Sequence, residues 1–241
     1  MTLGIPGRAS SDPGRPVRTA PTVRISRGAL EVNLRAVLAS GRSGVIDVRA
    51  DAWGHGVRVV APIALRAGAT ALLVDESGAE ALGGVVDRTR MVATGAGAAP
   101  EAVYGLSVGF APVLRLSGWV LSLKQLRGGE GVSYGLTHRA PVDTTVALVT
   151  GGYAQGIVRS LGNAASVQIA GRRHPIVGRV AMDVCVVDVG DAGVRPGDEI
   201  VFFGDPTTGS PTIEEWTAAT GMTAGELVTG VGLRAGREYT S

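Results

Sequence analysis

Val48-Arg49-Ala50-Asp51-Ala52-Trp53-Gly54-His55-Gly56 lies between a β-branched run at 44–48 and a helical spacing at 57–67 that stops at Gly68. A buried-type strand, a glycine-bearing turn and an amphipathic helix make one βα unit. The unit recurs downstream: 71–74 reads as a second strand, 77–82 as a helix and 91–93 as a third strand. Short apolar strands separated by helices of about ten residues predict a parallel sheet. Upstream, 23–25 is apolar and Ser26 reads as an N-cap. Ala29, Leu30, Asn33, Leu34, Val37 and Leu38 then keep helical spacing up to Gly41.

Past Tyr104 the pattern changes. Leu114–Leu126, 145–150, 166–170, 174–177, 184–189 and Glu199–Phe203 are strand-like and are divided by turn signals such as Ala170-Gly171 and Pro196-Gly197-Asp198. This predicts an antiparallel, barrel-like or sandwich-like β domain, closed by two short helices at Ile213–Thr220 and 224–229. The expected fold class is α/β plus all-β. The expected division is a flexible tail over 1–21, which holds four prolines, an α/β part over 22–112 and a β domain over 113–241, joined around 95–112.

Composition narrows the function classes. The chain has 241 residues, 45% of them apolar, so it can bury a sizeable core. A net charge of +2 without a long basic run argues against a nucleic-acid track. Of 23 basic residues only Lys124 is a lysine, which fits a coding bias toward arginine. The single cysteine, Cys185, rules out an internal disulfide, fits a reducing compartment and sits in an apolar run as a core residue would. No stretch approaches the roughly 20 apolar residues that span a bilayer, and the arginine-bearing N-terminus lacks the apolar centre of a secretory signal. A cytoplasmic location is expected, without membrane or nucleic-acid partners. His138 and His174 have no ligand spacing, so no metal is expected.

The quoted stretch resembles the alanine racemase signature, a strand ending in K-A-D-A-Y-G-H-G. The β part agrees along its length. Gly131-Val132-Ser133-Tyr134-Gly135 resembles G-x-x-V-S-Y-G, Gly152-Tyr153-Ala154-Gln155-Gly156 resembles G-Y-A-D-G, and Gly178-Arg179-Val180-Ala181-Met182-Asp183 resembles G-R-x-C-M-D. Val194-Arg195-Pro196-Gly197-Asp198-Glu199 and Arg234-Ala235-Gly236-Arg237-Glu238-Tyr239 follow two further family elements in order. The resemblance implies a TIM barrel followed by a β domain, in a head-to-tail dimer whose sites are shared between one barrel and the partner's β domain. A full barrel takes about 250 residues, and about ninety precede the β domain here, enough for three βα units. The chain is therefore expected to be a shortened homologue with an incomplete, TIM-barrel-like βα part. Residues 102–107 resemble the end of the last barrel unit.

The resemblance also assigns a site. Pyridoxal phosphate (PLP) is the family cofactor, and the signature lysine holds it as an aldimine and supplies one base. The tyrosine of V-S-Y-G supplies the other base from the second subunit. Arg49 stands at the lysine position here. A guanidinium stays protonated, so it neither attacks an aldehyde nor accepts a proton from carbon. Trp53 replaces a tyrosine that contacts the phosphate, His55 keeps its family position and reads as a helix-start hydrogen bonder, and Gln155 replaces an aspartate. Tyr134 remains as the catalytic candidate, with Arg49 as its degenerate partner. Met182 and Asp183 remain at family positions near the substrate carboxylate. Arg49 is expected to pair with an anion, either a carboxylate ligand or Asp51. Three functions stay open: a non-racemising homologue retained for binding, an active isomerase of alanine completed by a partner chain, and a cofactor-independent enzyme using Tyr134 and Arg49. PLP binding is not expected. A homodimer is, because three βα units leave an open sheet edge, and a small carboxylate or amino-acid-like ligand fits the inherited positions.

Overall fold

A computed structural model describes residues 20–41 and 43–241. Most of the expected tail, residues 1–19, lies outside the described residues. The described residues open with β1 (Thr22–Ser26) and α1 (Arg27–Ala39), whose N-cap Ser26 accepts from Ala29 N. Leu30, Asn33, Leu34 and Val37 form the buried stripe of α1 at i, i+3, i+4 and i+7. Asn33 ties this helix to the linker by accepting from Ala111 N at 2.9 Å and donating to Ala111 O at 2.8 Å.

Next come β2 (Val45–Asp47), a helical turn α2 (Arg49–Trp53), α3 (Val57–Arg66), β3 (Ala71–Leu73), α4 (Glu76–Ala81) and β4 (Met91–Val92). The three strands pair in parallel in the order β2-β3-β4. This is the expected run of three βα units, and it does not close into a barrel. On the β2 side the chain returns after β4, and Ala98 N donates to Val45 O at 2.8 Å. A short helix α5 (Pro100–Val103) then leads into the β part.

The β part comprises β5 (Leu114–Leu126), β6 (Gly131–Val132), β7 (His138–Arg139), β8 (Thr144–Thr150), β9 (Ser166–Ile169), β10 (Arg172–Val177), β11 (Val184–Asp188), β12 (Glu199–Phe203), α6 (Ile213–Thr220), α7 (Ala224–Gly232) and β13 (Gly236–Thr240). Six strands close a barrel in the order β5-β12-β9-β10-β11-β8, returning to β5. Ala170 and Gly171 join β9 to β10 with φ of 48° and 80°, as a two-residue hairpin turn of the primed type requires. The capping boxes Thr212/Glu215 and Thr223/Glu226 start α6 and α7. Cys185 lies in the barrel core, and burial pushes its thiol up to about 12.

One strand lies elsewhere than its sequence neighbours suggest. The residues expected to open the α/β part form β1, which pairs antiparallel with β5 and parallel with β13. The strand therefore extends the barrel sheet, and α1 leads from that sheet to β2. The two halves of the molecule are laced together at the chain's beginning and end.

Candidate functional site

The site expected from the sequence begins where β2 ends. Ala50, Asp51, Ala52 and Trp53 have φ of 50°, 55°, 55° and 55°, so α2 is a left-handed helical turn. Each such L-residue costs roughly 1–2 kcal/mol relative to the right-handed form, and the surroundings must hold the turn in place. Ala52 N donates to Val48 O at 2.9 Å and Gly54 N to Ala50 O at 3.0 Å. Ala50 N donates to Asp75 Oδ2 at 2.7 Å, and Val57 N to Asp51 Oδ1 at 2.7 Å. Burial would raise the Asp75 carboxyl, but the N–H groups of Ala50 and Gly78 and the Ser77 hydroxyl hold it below its ordinary value.

Arg49 faces Asp47 rather than Asp51. Its Nε lies 2.9 Å from Asp47 Oδ1 and its Nη2 2.6 Å from Oδ2, a bidentate fork. Residues two apart at a strand end share a side, whereas the left-handed turn swings Asp51 away. Asp51 instead accepts from Val57 N and pairs with Arg237 on β13. The hydrogen bond and charge of Asp47 raise the Arg49 pKa further. Asp47 is 4% exposed while the Arg49 side chain is 51% exposed.

Trp53 and His55 build a small aromatic stack around Tyr104. The rings of His55 and Tyr104 are 4.5 Å apart and those of Trp53 and Tyr104 5.8 Å. Tyr104 donates to Asp47 O at 2.7 Å. His55 is fully buried, and it does not bond to the start of α3. Its Nδ1 lies 3.1 Å from Ala52 O and 2.9 Å from Trp53 O, so that nitrogen carries the proton and bonds back onto the turn. Its Nε2 is buried without a hydrogen-bond partner among the described residues. Burial lowers the imidazole pKa to about 4.

The remaining expected residues lie on the β barrel. Tyr134 sits in the turn between β6 and β7, 80% exposed, flanked by Ser133, Gly135 and Leu136 at φ of 64°, 76° and 48°. Arg179 O accepts from Ser133 Oγ at 2.6 Å. Met182, 54% exposed, and Asp183 lead into β11. Gln155 donates to Asp183 Oδ1 at 2.9 Å. Arg49 and Tyr134 share no hydrogen bond, ion pair or ring contact among the described residues. Lys124 is exposed on β5, opposite Val146 of β8. Among the described residues no group of three or more His, Cys, Asp or Glu side chains is placed to hold a metal ion, and no helix is long and apolar enough to cross a membrane.

Asp47, Tyr104, Arg237 and Tyr239 join the site without having been assigned to it from sequence. Arg237 and Tyr239, two apart on β13, share a face. Arg237 pairs with Asp51, and Tyr239 donates to His55 O at 3.2 Å. The i, i+2 spacing of Asp47 and Arg49 was the available signal for that pair.

A parallel βα sheet joined to a six-stranded antiparallel barrel, with the first βα turn packed against the last helix and strand of the β part, α7 and β13, defines the class. The model of the alanine racemase C-terminal domain matches residues 113–239, and the chain belongs to the alanine racemase family. It is 42% identical over 146 residues to an alanine racemase of Thermobifida fusca, covering 58% of this chain and 39% of that protein. Against an alanine racemase of Mycobacterium tuberculosis it is 44% identical over 147 residues, covering 57% and 38%. The chain thus spans about two-fifths of the length of these curated relatives.

In fold it resembles the alanine racemase from D-cycloserine producing Streptomyces lavendulae, with a TM-score of 0.84 at 23% identity over 94% of this chain and 98% of that one. It also resembles the Bacillus anthracis alanine racemase with bound L-Ala-P, with a TM-score of 0.80 at 19% identity over 94% and 96%. The structural overlay covers 98% of the Streptomyces lavendulae racemase chain, whereas the sequence match covers 39% of the Thermobifida fusca relative.

The chain's own groups do not fit PLP. The site has no amine at position 49, and the Ala50 and Val57 N–H groups already serve carboxylates.

Proposed function

We propose that this protein is a non-racemising member of its family, retained for binding through its β domain. Arg49 carries this reading. It occupies the position at which the resemblance requires the cofactor amine, and it is locked to Asp47 by two hydrogen bonds. The sole lysine, Lys124, lies on the barrel. In support of the binding role, Tyr134, Met182 and Asp183 stand exposed on the β domain. They are free to meet a second chain, and with it a small carboxylate or amino-acid-like ligand. The proposed assembly is a homodimer, and the free cysteine fits a reducing, cytoplasmic setting.

The test is PLP titration, borohydride reduction, intact-mass analysis and peptide mapping. Neither a stoichiometric adduct nor a new visible absorption band is expected. A stoichiometric adduct on Lys124 would overturn the reading. Light scattering at micromolar concentration should return twice the chain mass; a monodisperse monomer would remove the dimer.

The exposure of Tyr134 supports a second reading, in which this β domain completes the site of an intact racemase chain. Mixing with an active racemase should then yield a mixed dimer whose activity drops on Tyr134→Phe. A cofactor-free pairing of Tyr134 with Arg49 has less support, because the two share no contact within one chain.

A further inference from the structure

We infer that residues 47–57 now form a structural clasp between the α/β part and the β barrel, so that restoring a lysine at position 49 will not restore cofactor capture. The inference rests on the reading of Arg49 above and extends it: the lesion is a rebuilt neighbourhood, deeper than one residue.

The carboxylates and backbone N–H groups around position 49 are committed within the chain. Asp47, almost fully buried, holds Arg49. A lysine there would place its ammonium beside the same buried carboxylate, which favours the protonated form over the free amine that attacks an aldehyde. The N–H of Ala50 serves Asp75, and that of Val57 serves Asp51. Asp51 in turn holds Arg237, which also reaches Gly54 O at 3.4 Å.

The ring of Trp53 packs on Gly225 of α7, where an added Cβ would stand 3.0 Å from Cε3 and 3.1 Å from Cη2. Tyr239 is spent on His55 O and packs against Gly56, where its hydroxyl fills the space a Cβ would need. Gly54 and Gly232 bring the turn and α7 into backbone contact. The Asp47 and Val57 contacts tie the turn to β2 and α3, the Asp75 contact ties it to the start of α4, and those of Arg237, Tyr239, Gly225 and Gly232 tie it and the residues after it to β13 and α7; together they hold the strained turn in place.

The first experiment uses the full chain carrying Arg49→Lys, incubated with PLP, reduced with borohydride and mapped by mass. The expected result is a folded protein whose labelling at position 49 does not exceed that at exposed Lys124. Stoichiometric labelling at position 49 by the variant alone would overturn the clasp and leave the proposed function standing. Stoichiometric labelling of the unaltered protein would overturn the proposed function itself. A second variant, Arg237→Gln, reads the clasp without PLP. Amide exchange across residues 49–57 should speed up about tenfold, the factor for losing a half-buried charged hydrogen bond. Unchanged exchange there would also overturn the inference.

Discussion

Replacing Gly232 with alanine should destabilise the protein by about 3 kcal/mol or more, at the upper end of what overpacking costs. Gly232 ends α7, and a Cβ built on it lies 2.7 Å from both the Cα and the carbonyl carbon of Gly54. Those are backbone atoms of the left-handed turn, held by the Gly54 N to Ala50 O bond and by Arg237, so they cannot swing aside as a side-chain tip would. Alanine gains up to about 1 kcal/mol in helix propensity, too little to offset the clash. Gly230, two residues earlier in the same helix, is the matched control. A Cβ there meets nothing within 4 Å, so Gly230→Ala should leave stability unchanged or raise it slightly. Urea unfolding of the two variants beside the parent decides the matter. If Gly232→Ala unfolds at the parent's midpoint, the close backbone contact is not what joins the two halves.

Much of the architecture was legible in the sequence because its signals are local. Ser26 as cap, the 3.6-residue spacing of α1, the two short closing helices and the Ala170-Gly171 turn each concern fewer than fifteen consecutive residues. Glu199–Phe203 and Ile213–Thr220 end where their composition says they should. What was not legible depends on distant partners. The membership of β1 is set by Ser117 and Gly236, which pair with Thr22 from far along the chain. The left-handed turn has no local cause either. Alanine and tryptophan disfavour that conformation, aspartate visits it only as a single residue, and the enclosing contacts make a run of four tolerable.

The site divides in the same way. That Arg49 cannot do an amine's chemistry follows from its side chain alone. The i, i+2 spacing offers Asp47 as its partner, but the choice of Asp47 over Asp51 follows from the turn, which swings Asp51 away to Val57 and Arg237. The use of Arg237 and Tyr239 as struts lay beyond reach without the fold. His55 shows how far the two descriptions can differ. Its position between Gly54 and Gly56 suggests a bond to the next helix, but Asp51 takes that role, and the imidazole is left inside the clasp with one nitrogen unpaired.

That unpaired nitrogen has a consequence in acid. The His55 pKa falls from 6.5 to about 4, chiefly because burial opposes the charge. Arg237 pushes in the same direction, while the Ala52 and Trp53 carbonyls and Asp51 resist it. Asp47 holds Arg49, and Tyr104 and Tyr239 bring only their ring and a hydroxyl already spent on a carbonyl. Because the unfolded chain binds this proton more readily than the folded one, stability is fully present above about pH 6.5. It declines as the pH falls from there toward 4 and levels off below, for a total near 3 kcal/mol. His174, also lowered by burial, adds to the slope in the same direction. A parent curve alone therefore cannot assign the loss. His55→Gln keeps a donor for the turn's carbonyls and removes the titration, so the difference between parent and variant unfolding free energies isolates this one imidazole. The variant should be less stable at pH 7, and the gap should narrow by up to about 3 kcal/mol by pH 4. Curves that run parallel from pH 7 to pH 4 would mean that His55 takes up its proton without leaving the clasp, and that the buried nitrogen finds a partner when charged.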